Sequence, residues 1–199
     1  MSQLRVEQLR YHTIEPVDIS VGPGECVTLS GPSGSGKSLF LRALADLDAH
    51  EGDVFLDDVE MRELPAHRWR AQVGLLPAEA RWWYETVGEH FPNGNGEVLA
   101  RVGFKPDVLT WDIARLSSGE RSRLGLARLL INEPRVLLLD EPTASLDADR
   151  VELVESLIAD YQRNHDAPVI WVSHDSAQMD RVADRQFWIR DNRVVEEQQ

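Results

Sequence analysis

Apolar positions along this chain follow two spacings. Unbroken runs at Cys26-Val27-Thr28-Leu29 and Val136-Leu137-Leu138-Leu139 predict strands buried on both faces, as in parallel sheets. Val54 to Leu56, Val73 to Leu76 and Val169 to Ser173 read as further strands. The first 30 residues are β-rich, with strands over Gln3 to Gln8 and Val17 to Val21 and a turn at Gly22-Pro23-Gly24. Helical spacing takes over at Ser38 to Ala45, Arg121 to Ile131 and Ala148 to Asn164. In the last of these, Val151, Val154, Leu157 and Ile158 share one face. Glu85 to Asp112 predicts helical pieces, broken at Pro92-Asn93-Gly94-Asn95-Gly96 and at Lys105-Pro106-Asp107. Arg185 to Arg190 and Arg193 to Glu196 predict a closing hairpin around Asp191-Asn192. A frayed Glu196-Glu197-Gln198-Gln199 tail follows, and the chain shows no internal repeat.

The first strand-to-helix junction carries chemistry. Gly31-Pro32-Ser33-Gly34-Ser35-Gly36-Lys37-Ser38 fits the phosphate-binding pattern G-x-x-x-x-G-K-[ST], and it has the strand and helix flanks that pattern needs. Glycines let backbone N–H groups turn inward, and a helix N-terminus adds positive potential. Lys37 would reach the β- and γ-phosphates, and Ser38 would ligate Mg²⁺. The run Val136 to Leu139 ends in Asp140-Glu141, at the strand end where α/β sheets bind ligands. Asp140 would hold the metal, directly or through water, and Glu141 would act as general base on the attacking water.

Between these two motifs lies Leu116-Ser117-Ser118-Gly119-Glu120, ahead of a helical run. With all three in this order, the chain resembles the ATP-binding subunit of the ABC ATPase family, small single-domain type, from about Leu4 to Val195. The resemblance implies a P-loop NTPase core of α/β class with a mostly parallel sheet. It also implies an N-terminal antiparallel β subdomain and a short helical subdomain inserted at about 78–132 of a single 1–199 domain. It implies two subunits sandwiching two Mg·ATP head to tail, with Ser117 and the N–H groups of Ser118 and Gly119 capping the γ-phosphate held by the partner. Ser117 also reads as a helix N-cap with Glu120 in the first turn, and that geometry itself creates an anion site. By the same resemblance, Ala144-Ser145-Leu146-Asp147 contacts the opposite active site, His174 is a switch histidine that orients the catalytic water, and Tyr11 stacks on adenine.

Two departures from the family stand out. The glutamine that usually follows the strand at Val73 to Leu76 is replaced: the chain reads Pro77-Ala78-Glu79, with Ala78 at that position and Glu79 a possible substitute. The signature has Ser118 where Gly is usual and Glu120 where Gln is usual, and neither change removes a backbone donor. Three consecutive aromatics, Trp82-Trp83-Tyr84, follow the altered loop, where the family places a groove for a membrane partner. On a helix or strand they could not all face one core, so at least one is expected at the surface.

Composition narrows the partners. Thirty-four acids against 21 bases give a net charge of −13, which disfavours nucleic acid. The single Cys26 sits in an apolar strand and predicts no disulfide framework. No run approaches the roughly 20 apolar residues of a membrane helix, and no N-terminal apolar stretch marks export. The expectation is an ATPase with ATP and Mg²⁺, a homodimer when ATP is bound, and cytoplasmic. It would be peripheral to the membrane through a separate transmembrane permease subunit. Two alternatives stay open: a soluble non-transport ATPase of the same family, or a nucleotide-gated interaction module with weak hydrolysis.

Overall fold

A computed structural model describes residues 2–91 and 96–197. β1 (Leu4–Tyr11), β2 (Ile14–Val21), β4 (Glu51–Leu56) and β5 (Val59–Glu60) form an antiparallel sheet in the order β2-β1-β4-β5. The second sheet holds β3 (Cys26–Ser30), β6 (Val73–Leu76), β7 (Val136–Asp140), β8 (Val169–Val172), β9 (Arg185–Arg190) and β10 (Arg193–Glu196). Its order is β10-β9-β3-β8-β7-β6, and every pairing is parallel except β9 with β10.

Every residue of β3, β7 and β8 is buried, which is why their sequences are unbroken apolar runs. The strand period of two then divides their side chains between two cores. Val27, Leu29, Val136, Leu138, Ile170 and Val172 pack with the antiparallel sheet and α1 (Lys37–Leu44). Cys26, Leu137, Leu139, Val169 and Trp171 pack on the other side with α4 (Ser118–Leu130) and α5 (Ala148–His165).

α2 (Ala66–Gln72) is an element that the apolar spacing did not predict. It is anchored by buried Trp69, whose Nε1 donates to the Leu44 carbonyl at 2.9 Å. α6 (Ser176–Val182) and β5 were also unpredicted. The closing hairpin turns at Asp191 (φ 50°) and Asn192 (φ 61°), the left-handed pair that a two-residue turn requires.

Between β6 and α4 the chain is mostly short turns. α3 (Gly96–Arg101) is a single short helix, and 3-10 turns span Gly88–His90, Pro106–Thr110 and Ile113–Arg115. Gly96 opens α3 instead of ending a break, and Pro106 starts a 3-10 turn, where a missing N–H is harmless. The expected break at Pro92 to Asn95 and the tail end Gln198-Gln199 lie outside the described residues. Among the described residues no helix is long and apolar enough to cross a membrane.

Candidate active site

β3, β8 and β7 are adjacent parallel strands, so the segments leaving their C-terminal ends meet at one edge of the sheet. The loop Gly31 to Ser38 leaves β3 and enters α1. Gly31 (φ 146°) lies so close to β9 that a Cβ would stand 2.8 Å from the Ile189 carbonyl oxygen. Gly36 is the α1 N-cap at φ 100°, a conformation that leads the chain into the helix with its N–H groups facing the loop.

Lys37 is buried, and its Nζ donates to the carbonyls of Gly31 (2.9 Å) and Pro32 (3.0 Å). The loop therefore wraps the ammonium. Burial pulls the Lys37 pKa down, while Glu141 and Asp140 push it back up. Pro32, Ser33, Gly34 and Ser38 are exposed along the rim, and Ser35 and Gly36 are half-buried. Aligned N–H groups, a helix N-terminus and an ammonium suit a polyanion.

Asp140 ends β7 and is buried. Burial raises its pKa, and neighbouring Glu141 raises it further. The Ser38 hydroxyl, the Ala78 N–H and the Lys37 charge act in the opposite direction. Glu141 follows at φ 50°, a left-handed conformation that costs a non-glycine residue about 1 kcal/mol or more. Its N–H donates to the Val172 carbonyl at 3.1 Å, pinning it to the end of β8. His174 leaves β8 two residues later, and its Nε2 sits 3.1 Å from Glu141 Oε1. The structure thus brings together Lys37, Ser38, Asp140, Glu141 and His174.

Ser117, Ser118, Gly119 and Asp147 form a second group at the N-termini of α4 and α5. Ser117 and Glu120 make a reciprocal capping box: Ser117 Oγ accepts from the Glu120 N–H (3.2 Å), and Glu120 Oε2 accepts from the Ser117 N–H (2.9 Å). Ser118 is exposed. Gly119 is buried where a Cβ would meet the Ser145 carbonyl at 2.8 Å, so the loop after β7 packs directly on this helix start. Asp147 is exposed and caps α5 through the Arg150 N–H (2.9 Å). Among the described residues, no hydrogen bond joins this group to the phosphate loop of the same subunit.

Tyr11 requires a correction. It is 4% exposed, its ring packs 5.5 Å from that of Phe40, and it lies behind Gly36. Neither ring face is open for a base to stack on, because the tyrosine is enclosed in the core under the phosphate loop. The exposed ring at this turn is that of His12, in the link between β1 and β2.

Ala78 and Glu79 are exposed and line a cavity of about 700 Å³ together with Arg121, Glu141 and Ser145. The Ala78 side chain offers no ligand, but its N–H serves Asp140. That backbone role was not visible in the sequence. The aromatic triplet lies on neither helix nor strand: Trp82 is half-buried, while Trp83 and Tyr84 are 64% and 51% exposed. His90, unremarkable in sequence, organises them. Its Nε2 accepts the N–H groups of Trp83 (3.1 Å) and Tyr84 (3.3 Å), and its Nδ1 stands 3.0 Å from the Thr86 carbonyl.

A parallel sheet with a phosphate loop after one strand, and an acidic pair and a histidine after its neighbours, defines a P-loop ATPase. The family model described as "ABC transporter" matches residues 14–144. ABC transporter I family member 17 of Arabidopsis thaliana is 35% identical over 196 residues, covering 92% of this chain and 74% of that protein. Aliphatic sulfonates import ATP-binding protein SsuB 2 of Pseudomonas syringae pv. syringae is 35% identical over 192 residues, covering 94% of this chain and 67% of that protein. The dimeric post-hydrolysis state of the ATP-binding cassette MJ0796 bound to ADP and Pi superposes with TM-score 0.85 at 24% identity, covering 100% and 98% of the two chains. That superposition shows a shared fold. The chain belongs to the ABC transporter family, as its ATP-binding and ATP-hydrolysing domain.

Proposed function

We propose that this protein is the ATPase subunit of an ABC transporter, closing head to tail around two Mg·ATP and driving a separate transmembrane subunit from the cytoplasmic face. The observation that carries the reading is the convergence of Lys37, Ser38, Asp140, Glu141 and His174 at one sheet edge, with His174 Nε2 3.1 Å from Glu141 Oε1. Lys37 exchanges the Gly31 and Pro32 carbonyls for phosphate oxygens. Ser38 and Asp140 supply hard oxygen donors, and Mg²⁺ characteristically takes only one or two such protein ligands beside phosphate and water. Bound there, the ion would neutralise charge developing on the phosphates. Glu141 takes a proton from the attacking water, and His174 orients the same region.

Among the described residues Ser117, Ser118 and Gly119 make no hydrogen bond to their own phosphate loop, which supports assigning them to the γ-phosphate of a partner, with Asp147 at the edge of that contact. Exposed Trp83 and Tyr84 would contribute to the face that meets the membrane subunit. We further propose that residues 78–132 form the helical subdomain of a single 1–199 domain.

The experiment is steady-state turnover with Mg·ATP. Glu141→Gln lowers it by about 10²–10⁴-fold with ATP binding retained. Lys37→Ala loses ATP binding itself. Normal turnover of Glu141→Gln would overturn the assignment.

A further inference from the structure

We propose that Gln178 is a positioning residue for hydrolysis, fixing the Glu141 segment against the His174 segment; the inference rests on the roles given above to those two residues. Gln178 lies on α6 and is 3% exposed. Its amide stands where three parts of the chain meet. Nε2 donates to Thr143 Oγ1 (2.9 Å), two residues beyond Glu141, and to Glu155 Oε1 (2.9 Å) on α5. Oε1 accepts from Ser173 Oγ (2.9 Å), the residue before His174. Ser173 Oγ in turn accepts the Asp175 N–H (3.1 Å), and Asp175 Oδ1 accepts the Gln178 N–H (3.2 Å). His174 is therefore bracketed on both sides by the network while its own ring is free to face Glu141.

The chemistry of the amide is specific. Glu155 is itself held by Arg181, with Nη2 at 2.8 Å and Nε at 3.1 Å, so it is a fixed, ionised acceptor. Burial alone would raise its pKa, but the bonds from Arg181 and Gln178 outweigh burial and hold it below the usual range. A carboxylate can only accept, so the NH₂ of Gln178 must face Glu155 and the carbonyl must face Ser173. An apolar side chain would fill the same space with no directional link. A fully partnered buried network instead selects one arrangement of the segments it joins. Glu141 needs such a selection, since its φ of 50° is not one a glutamate adopts without support.

Gln178→Leu and Thr143→Val each remove part of the link. Both are measured for kcat, ATP affinity and melting, alone and in the Glu141→Gln background under single-turnover conditions. Each should lower kcat by about 10–100-fold, the scale of a small misplacement of a catalytic group. ATP affinity should hold, because the phosphate loop is not in the network. In the Glu141→Gln background each should add little, since the group being positioned is gone. Gln178→Glu should lose activity at alkaline pH and regain part of it at lower pH, where a proton shared with Glu155 restores the donor. If Gln178→Leu does not fold, the conservative Thr143→Val decides. Unchanged kcat, loss of ATP affinity in its place, or an equal further loss in the Glu141→Gln background would each overturn the inference. Normal turnover of Glu141→Gln alone would instead overturn the site assignment on which it rests.

Discussion

At Ala78, where the family resemblance leads one to expect a glutamine, the side chain is a bare methyl while the backbone still serves the site. The N–H supports Asp140, and the methyl lines the cavity shared with Glu141 without offering a ligand. Ala78→Gln restores an amide at the edge of that cavity and should raise the turnover of the isolated subunit several-fold; an order of magnitude corresponds to about 1.4 kcal/mol of barrier. If Ala78→Gln has no effect and Glu79→Ala abolishes Mg²⁺-dependent turnover, Glu79 is the substitute. The side chains that the structure brings together were legible in sequence: Lys37, Ser38, Asp140, Glu141 and His174 all fall in motifs. Tyr11 was misread because sequence gives a residue's place along a strand but not which face is covered. Gln178 and the Ala78 N–H left no trace because their roles exist only once α6 and the loop after β6 are folded against the sheet.

Among the elements, the segment from Pro77 to Phe91 depends on one histidine more than on secondary structure. Trp82, Trp83 and Tyr84 all stack edgewise around His90, with ring centroids at 4.9, 4.9 and 5.0 Å, and Arg128 lies over both tryptophans. With two N–H groups donating to Nε2, the proton belongs on Nδ1 and the ring is neutral. Burial lowers the His90 pKa. The Thr86 carbonyl and Glu89 work against that, and Arg128 adds to it. The unfolded chain titrates near 6.5 and so binds more protons in the window just below that value. Stability is therefore full above about pH 6.5 and falls as pH drops through the folded pKa. Melting temperatures of wild type and His90→Gln between pH 5 and 8 check this: the variant should lose part of the acid-side slope, and identical slopes would contradict the role. Trp83→Ala should change stability by no more than about 0.5 kcal/mol, as for a surface site. Trp82→Ala, half-buried against the second core, should cost about 1–3 kcal/mol in denaturant titration. Equal costs would mean that the two tryptophans share one environment.

At the scale of the whole molecule, the centre of the six-stranded sheet was readable because the fully buried parallel strands β3, β7 and β8 have an unmistakable apolar signature. The stretch between β6 and α4 was not, since 3-10 turns and a six-residue helix carry too few periods to show a face, whereas the 13-residue α4 was legible from its spacing. α2 escaped because its burial depends on a single Trp69. The two anion-binding surfaces make different demands on the molecule. The phosphate loop wraps Lys37 within one subunit, while the α4 N-terminus is capped by its own Ser117 and Glu120 and presents exposed Ser118 to the cavity that Glu141 also lines. The proposed C₂ pair would set the α4 N-terminus of each subunit against the phosphate loop of the other.

The most direct measurement is the mass in solution of the Glu141→Gln protein with and without saturating Mg·ATP, by size exclusion with light scattering. Glu141→Gln should be a monomer without nucleotide and a dimer with it. Adding Ser117→Arg to the same chain should abolish the dimer while ATP binding to the monomer remains. A Glu141→Gln protein that stays monomeric at saturating ATP, or a dimer that survives Ser117→Arg, would contradict the shared site.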